Sequence, residues 1–294
     1  MGQIDQRAEV REFLSTRRAR ITPEQAGLAS YGGKRRVKGL RREEVAMLAG
    51  VSVDYYVRME RGNLSGASES VLDALARALQ LDEAERDHLF ALARTAKPRA
   101  KRHSTPPTTV RPAIQHILDS ISDAPAWVRN ARHDVLAMNQ LGRALYSPIL
   151  EDPRRPANTT RFVYLNPAAK DFFVDWDQIA NDGAAMLRLE AGRHPHDKAL
   201  IELIGELSTQ SEVFRQRWAS HDVQFHRSGR KRLRHPVVGQ LDLAYESMDL
   251  ASEPGLVLNI YTAPPGSPAA DGLKMLASWA ATQDLVEDTS TEES

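Results

Sequence analysis

The stretch from Arg42 to Gly62, Arg-Glu-Glu-Val-Ala-Met-Leu-Ala-Gly-Val-Ser-Val-Asp-Tyr-Tyr-Val-Arg-Met-Glu-Arg-Gly, leaves the chain few ways to fold. Val45, Ala46 and Ala49 recur at helical spacing, with Arg42, Glu43 and Glu44 turned to water. Gly50 falls where a left-handed residue closes a helix. Ser52 is then placed as N-cap of a second helix, accepting from an otherwise orphan backbone donor. Tyr56 and Met59 lie inward behind Val51, and Gly62 ends the segment. Ala46 is small enough for the two helices to cross closely. The spacing predicts two short helices joined by a tight turn.

Such a pair is either an inert hairpin or a helix-turn-helix, and its outer face decides between them. The second helix offers Val53, Asp54, Val57, Arg58 and Arg61 to solvent, while Arg41 and Arg42 open the first. A helix entering the major groove reads base edges with its N-terminal half and holds phosphates with flanking donors. The order Ala-x-x-x-Gly-Val-Ser followed by Met-Glu-Arg-Gly resembles the Cro/C1-type (XRE) family of DNA-binding domains. The resemblance covers the first third of the chain. It implies base-reading places at Val53, Asp54 and Arg58, and phosphate-holding places at Arg42, Ser52 and Arg61. Arg42 stands where that family often has Gln, trading an amide for a charge.

A net charge of zero over 294 residues hides a polarity. Residues 1–105 hold 20 Lys/Arg against 14 Asp/Glu, and the remainder holds 19 against 25. A basic amino-terminal third favours a polyanionic partner, and the rest repels one. The length suggests about two domains. With no cysteine there is neither a disulfide framework nor a thiolate nucleophile or metal ligand. No apolar run approaches a membrane span and no basic start leads into an apolar stretch, so a cytoplasmic protein is expected.

Along the first third, Glu9 to Ala19 reads as a helix with Val10, Phe13 and Leu14 on one face, broken by Ile21-Thr22-Pro23. The glycine-hinged segment Tyr31 to Arg42 carries Arg35, Arg36, Lys38 and Arg41. It reads as a loop laid along phosphates, the alternative being a solvated surface loop. Two further helices, around Val71 to Leu81 and Glu85 to Ala93, complete a five-helix, all-α domain over residues 1–96. Residues 97–110, rich in Pro, Thr and Lys/Arg, read as a linker.

The second domain, residues 111–283, opens on a helical stripe of Ile114, Ile117, Leu118 and Ile121. Extended pieces at 126–129 and 134–139 follow, then a helix from about Gly142 to Leu150 and a run of helices over 160–220. Strands are expected at 223–225, 231–234, 239–250 and 255–262, where Leu241, Leu243 and Tyr245 alternate with Asp242, Ala244 and Glu246. Ser228-Gly229 reads as a hairpin turn. A last helix from Ala269 to Ala281 precedes an acidic tail, 284–294, expected to be disordered. Strands, helices and more strands predict an α+β domain, an antiparallel sheet with helices on one side.

Trp218-Ala-Ser-His221-Asp222-Val223, His235-Pro-Val-Val-Gly239 and Pro264-Pro-Gly-Ser-Pro268 stand out, with Pro125-Ala-Trp-Val128 and Val135-Leu-Ala-Met-Asn139. Together they resemble the MmyB-like ligand-binding domain over residues 111–281. Gly39-Leu-Arg-Arg-Glu-Glu44 and Asp54-Tyr55-Tyr56 are similar to the same group, which adds Tyr55 to the candidate DNA contacts. The resemblance implies a PAS-like sheet and a fatty-acid ligand, in a regulator bound to an operator as a homodimer.

A fatty acid requires apolar walls and one cationic or hydrogen-bonding anchor. Trp127, Met138, Phe162, Phe172, Met186, Leu187, Phe214 and Trp218 are available as walls, though ordinary core packing accounts for any one of them. Arg188, His221 and His235 are candidate anchors, and the two histidines are equally accounted for as structural hydrogen-bonders. No cofactor motif is present. His194-Pro-His196-Asp197 is split by proline and lacks a second ligand cluster, and no Gly-x-Ser-x-Gly elbow exists, so an enzyme is not expected. The competing expectation is a regulator whose second domain serves only dimerisation or protein interaction.

Overall fold

The computed structural model describes residues 6–28, 37–95, 108–220 and 228–292. Among its described residues the amino-terminal third holds α1 (Gln6–Arg20), α2 (Arg42–Leu48), α3 (Val53–Glu60), α4 (Glu69–Ala78) and α5 (Glu83–Thr95). Next come α6 (Pro112–Asp119), β1 (Ala126–Asn130), β2 (Val135–Met138), α7 (Gln140–Leu145), α8 (Ser147–Leu150), α9 (Thr159–Leu165) and α10 (Ala169–Phe172). The chain continues through α11 (Trp176–Arg193), α12 (Lys198–Gln210) and α13 (Glu212–Ala219). It closes with β3 (Ser228–His235), β4 (Gly239–Asp249), β5 (Leu256–Thr262) and α14 (Pro268–Glu292). Among the described residues no helix is long and apolar enough to cross a membrane.

Two compact units are present. The first comprises the described residues within Met1–His103, Ala184–Gly205 and Arg215–Phe225. The second comprises those within Ser104–Gly183, Glu206–Phe214 and His226–Ser294.

In the first unit Val10, Phe13 and Leu14 of α1 pack with Val45 and Ala46 of α2, Tyr56 and Met59 of α3, Leu72 and Leu75 of α4, and Leu89 and Leu92 of α5. Each of the larger aliphatic and phenylalanine side chains, fully buried, contributes about 1.5–3 kcal/mol. Leu189 of α11 joins the same core. Between α2 and α3 the chain reverses at Gly50, whose φ of +65° is strained for any residue with a Cβ. Ser52 then caps α3, its Oγ accepting from the Tyr55 N–H at 3.2 Å. At the start of α2 the Glu44 carboxylate accepts from the Arg41 backbone N–H at 2.6 Å, satisfying an orphan donor.

The second unit is built on a five-stranded sheet of order β2-β1-β5-β4-β3, antiparallel throughout. One face carries Trp127, Leu233, Leu241, Leu243, Tyr245 and Tyr261, covered by residues of α7, α9, α10 and α14. The opposite face carries Ala126, Val128, Leu256, Leu258 and Ile260, and on it lie Ile114 and Leu118 of α6. Helices therefore cover both faces, not one. The cause is β1 and β5, which are apolar on both sides, so that a one-sided cover would leave their second face wet.

Two further expectations change. Ser228 and Gly229 are not a turn: they begin β3, paired with Glu246 and Tyr245. The β3–β4 turn instead spans His235 to Gly239, where Gly239 takes φ +74°. α14 runs to Glu292, through residues expected to be a disordered tail. A helix already nucleated by the buried Leu273, Leu276 and Ala280 gains one hydrogen bond for each residue added. The expected strand at 223–225 and the linker residues 97–107 lie outside the described residues.

Candidate functional site

α3 presents a polar, cation-edged outer surface from its first turn. Ser52, Asp54, Arg58 and Arg61 are exposed, and Val53 is an exposed apolar residue between them. Tyr55 is half-buried, and the Arg58 guanidinium lies 4.6 Å from its ring centroid. That stacking limits the arginine's rotamers while leaving its donor edge free to point outward. Lys38, Arg41 and Arg42 are exposed as well. Arg35 and Arg36, with the rest of the segment from Tyr31, lie outside the described residues.

Beneath this surface is a charge cluster that the sequence pattern alone did not single out. The Glu60 side chain is 2% exposed and receives Arg18 Nε at 2.6 Å. Arg42 Nε donates to its other oxygen in a close contact, and the Tyr56 hydroxyl donates at 3.3 Å. Arg18 also donates to the Leu40 carbonyl at 2.8 Å. Burial pushes the Glu60 carboxyl up, but hydrogen bonds from Arg18 and Arg42 outweigh it and hold the group below its ordinary value. The same pairing raises Arg42. Arg42 therefore faces solvent with its Nε already committed to Glu60. The available signal was position: Glu60 lies four residues after Tyr56, on the inward face.

The candidate ligand residues do not assemble into one wall. Trp127, Met138, Phe162 and Phe172 belong to one apolar cluster of the second unit. Phe162 and Phe172 meet edge to face at 6.1 Å, as do Tyr146 and Phe172 at 6.0 Å, and Tyr146 lies tilted 5.4 Å from Trp127. Phe214, also in that unit, packs 5.0 Å from Tyr164. Met186, Leu187, Arg188 and Trp218 belong to the first unit instead. The separation follows from α11, whose residues divide between the units at Gly183 and Ala184. Its continuous apolar content gave no hint of that division.

Arg188 is not an open anchor. It is 2% exposed, and its Nη1 donates to both Glu9 oxygens at 2.6 Å. The guanidinium sits 4.0 Å from the Trp218 ring centroid, and Nη2 donates to the Trp218 carbonyl. A carboxylate of the chain already occupies the place a ligand carboxylate would take. His235 is buried with both nitrogens engaged: Nε2 meets the Ala144 carbonyl at 3.0 Å, and Nδ1 accepts from the Val237 N–H at 3.2 Å. Those partners fix the Nε2–H tautomer and tie the β3–β4 turn to α7. Burial holds its pKa below the ordinary value. His221 lies outside the described residues.

Among the described residues no three His, Asp or Glu converge as metal ligands. The family model of the MmyB-like transcription regulator ligand binding domain matches residues 110–276, and that of a helix-turn-helix domain matches residues 10–89. Among curated proteins, none matches the chain.

Proposed function

The chain belongs to the MmyB-like transcription regulators, and from that premise we propose that it binds an operator through α3 and alters that binding when its second domain takes up a fatty acid. The observation that carries the DNA half is the exposed first turn of α3 with Arg58 stacked beside it and cations on either flank. In this reading Val53, Asp54, Tyr55 and Arg58 face base edges. Ser52, Arg61, Arg42, Arg41, Lys38, Arg35 and Arg36 face phosphates. Residues 1–96 form the DNA-binding domain, and residues 111–283 a PAS-like sensor behind a linker at 97–110. The protein acts in the cytoplasm as a homodimer on two half-sites, by binding and not by turnover.

The ligand half is supported by the ligand-binding family match and by the apolar layer between the sheet and α7, α9, α10 and α14. A long-chain acid gains about 0.8 kcal/mol for each methylene buried there, enough for a chain of a dozen carbons to survive purification. The test has two arms. Selection from a random DNA library by the full chain should yield a two-fold symmetric site. Mass spectrometry on an organic extract of the purified protein should yield a stoichiometric fatty acid. A library that returns no preferred sequence rejects the DNA half. An extract without lipid, together with no stabilisation by added fatty acid, rejects the ligand half.

A further inference from the structure

Within the second unit, Lys231 of β3, Tyr261 of β5 and Tyr146 after α7 bring polar atoms together inside the apolar layer, and the Trp127 ring of β1 lies 5.4 Å from that of Tyr146. Tyr146 and Tyr261 share a hydroxyl–hydroxyl bond of 2.6 Å, and Lys231 Nζ donates to the Tyr261 oxygen at 3.2 Å. The ammonium rests 5.1 Å from the Tyr245 ring centroid and 5.7 Å from that of Tyr261. Trp127 is 3% exposed, and its buried Nε1–H has no hydrogen-bond acceptor.

The cluster has more donors than acceptors. An ammonium brings three protons, an indole one and each phenol one, whereas among the side chains of these four residues the acceptors are the two phenol oxygens. Two of those protons are used, by the Lys231–Tyr261 and Tyr146–Tyr261 bonds. Burial pushes the Tyr146 hydroxyl well above its ordinary value, so it remains a donor. Asp182 and Glu246 are the carboxylates whose charges reach Tyr245, and Asp182 accepts from Gln178 Nε2 at 2.7 Å. Among the described residues no carboxylate pairs with Lys231, which is half-buried. A cation with no carboxylate partner among the described residues and a buried orphan donor are each costly unless an acceptor arrives to meet them.

We propose that Lys231, Tyr261, Tyr146 and Trp127 form a niche that receives the carboxylate of an apolar acid. This rests on the sensor reading given above and adds the anchoring residues to it. Lys231 supplies the charge and the route from solvent. The phenols and the indole supply neutral donors deeper in. The ring cluster of Phe162 and Phe172, joined to Tyr146 by edge contacts, receives the tail.

The test uses the delipidated full chain with tetradecanoate and tetradecanol as probes, read by isothermal titration calorimetry. Wild type should prefer the acid by on the order of tenfold or more, the weight of a charge-assisted hydrogen bond. Lys231→Met should abolish that preference while still binding the alcohol, which also reports that the variant is folded. Lys231→Arg should keep the preference, and Tyr261→Phe should reduce it. The Trp127 indole proton resonance should move downfield when the acid binds. A Lys231→Met protein that retains the full acid preference overturns the niche. Equal wild-type affinity for acid and alcohol overturns the niche and leaves the sensor reading standing. A wild-type protein that takes neither probe overturns both.

Discussion

Arg18 of α1 reaches Glu60, the last residue of α3, at 2.6 Å, in a pair whose carboxylate is 2% exposed. Arg42, the first residue of α2, closes on the other oxygen of the same group. Three helices are thus fixed at one charge, and the angle at which α3 leaves the domain depends on it. A buried carboxylate with two cationic donors is well matched, but removing it strands the largely buried Arg18, while Arg42 keeps its access to water.

Glu60→Gln should therefore cost about 2 kcal/mol, the scale of a hydrogen bond to a charged group. Hydrogen exchange should quicken in α1 and α3 before it does in the sheet. The pH dependence follows from a folded pKa held below the ordinary 4.5. Its stabilisation is complete above that value and is lost as pH falls through the folded pKa. The variant should show a flatter acid limb than wild type.

Arg58→Ala should weaken operator binding by about 1–3 kcal/mol and relax the sequence at one position. Arg58→Lys should not restore it, since an ammonium lacks the planar fork. Binding to random DNA should change little. Arg42→Ala, by contrast, should weaken all sequences alike and lower the salt slope by about one unit or less, because Glu60 already shares its charge. Competition titrations at two salt concentrations separate these outcomes. Equal losses on operator and random DNA for Arg58→Ala would show that α3 does not read bases.

Arg188→Ala should behave as a stability variant and not as a ligand variant. Its partner Glu9 is 12% exposed, and breaking a buried pair by removing one member costs about 3–5 kcal/mol. A double-mutant cycle with Glu9→Ala should recover much of that loss. Lipid content per folded protein should stay at the wild-type level. Loss of lipid without loss of stability would return Arg188 to the anchor role.

His235 gives a second pH signature. Burial lowers its folded pKa below 6.5, so the neutral ring contributes stability that is complete above 6.5 and is lost as pH falls through the folded value. Thermal unfolding scans from pH 7.5 to 5 should show this decline in wild type and less of it in His235→Gln. Identical profiles would mean that the imidazole stays protonatable without unfolding.

What the sequence revealed follows from how local each signal was. The turn at Gly50, the cap at Ser52 and the inward Tyr56 and Met59 are set by neighbours within one helical turn, and all were readable. So was Asn139. The Val-Leu-Ala-Met-Asn run ends where its side chain accepts from Ala126 and Gly142 and donates to the Ile121 and Ala124 carbonyls. Glu60 and Arg188 were misjudged or missed because their partners lie 42 and 179 positions away. Lys231 gave no signal either. Its strand neighbours are arginines, and only the cross-strand register brings it against Tyr245 and Tyr261.

The most direct measurement of the whole account is operator affinity by fluorescence anisotropy for the delipidated full chain, with and without saturating tetradecanoate. Coupling between two sites typically changes affinity by about 5- to 150-fold. The expected result is a change within that range on the operator, absent on random DNA and reached only at on the order of tenfold more tetradecanoate in Lys231→Met. An operator affinity that does not move when the acid is demonstrably bound contradicts it.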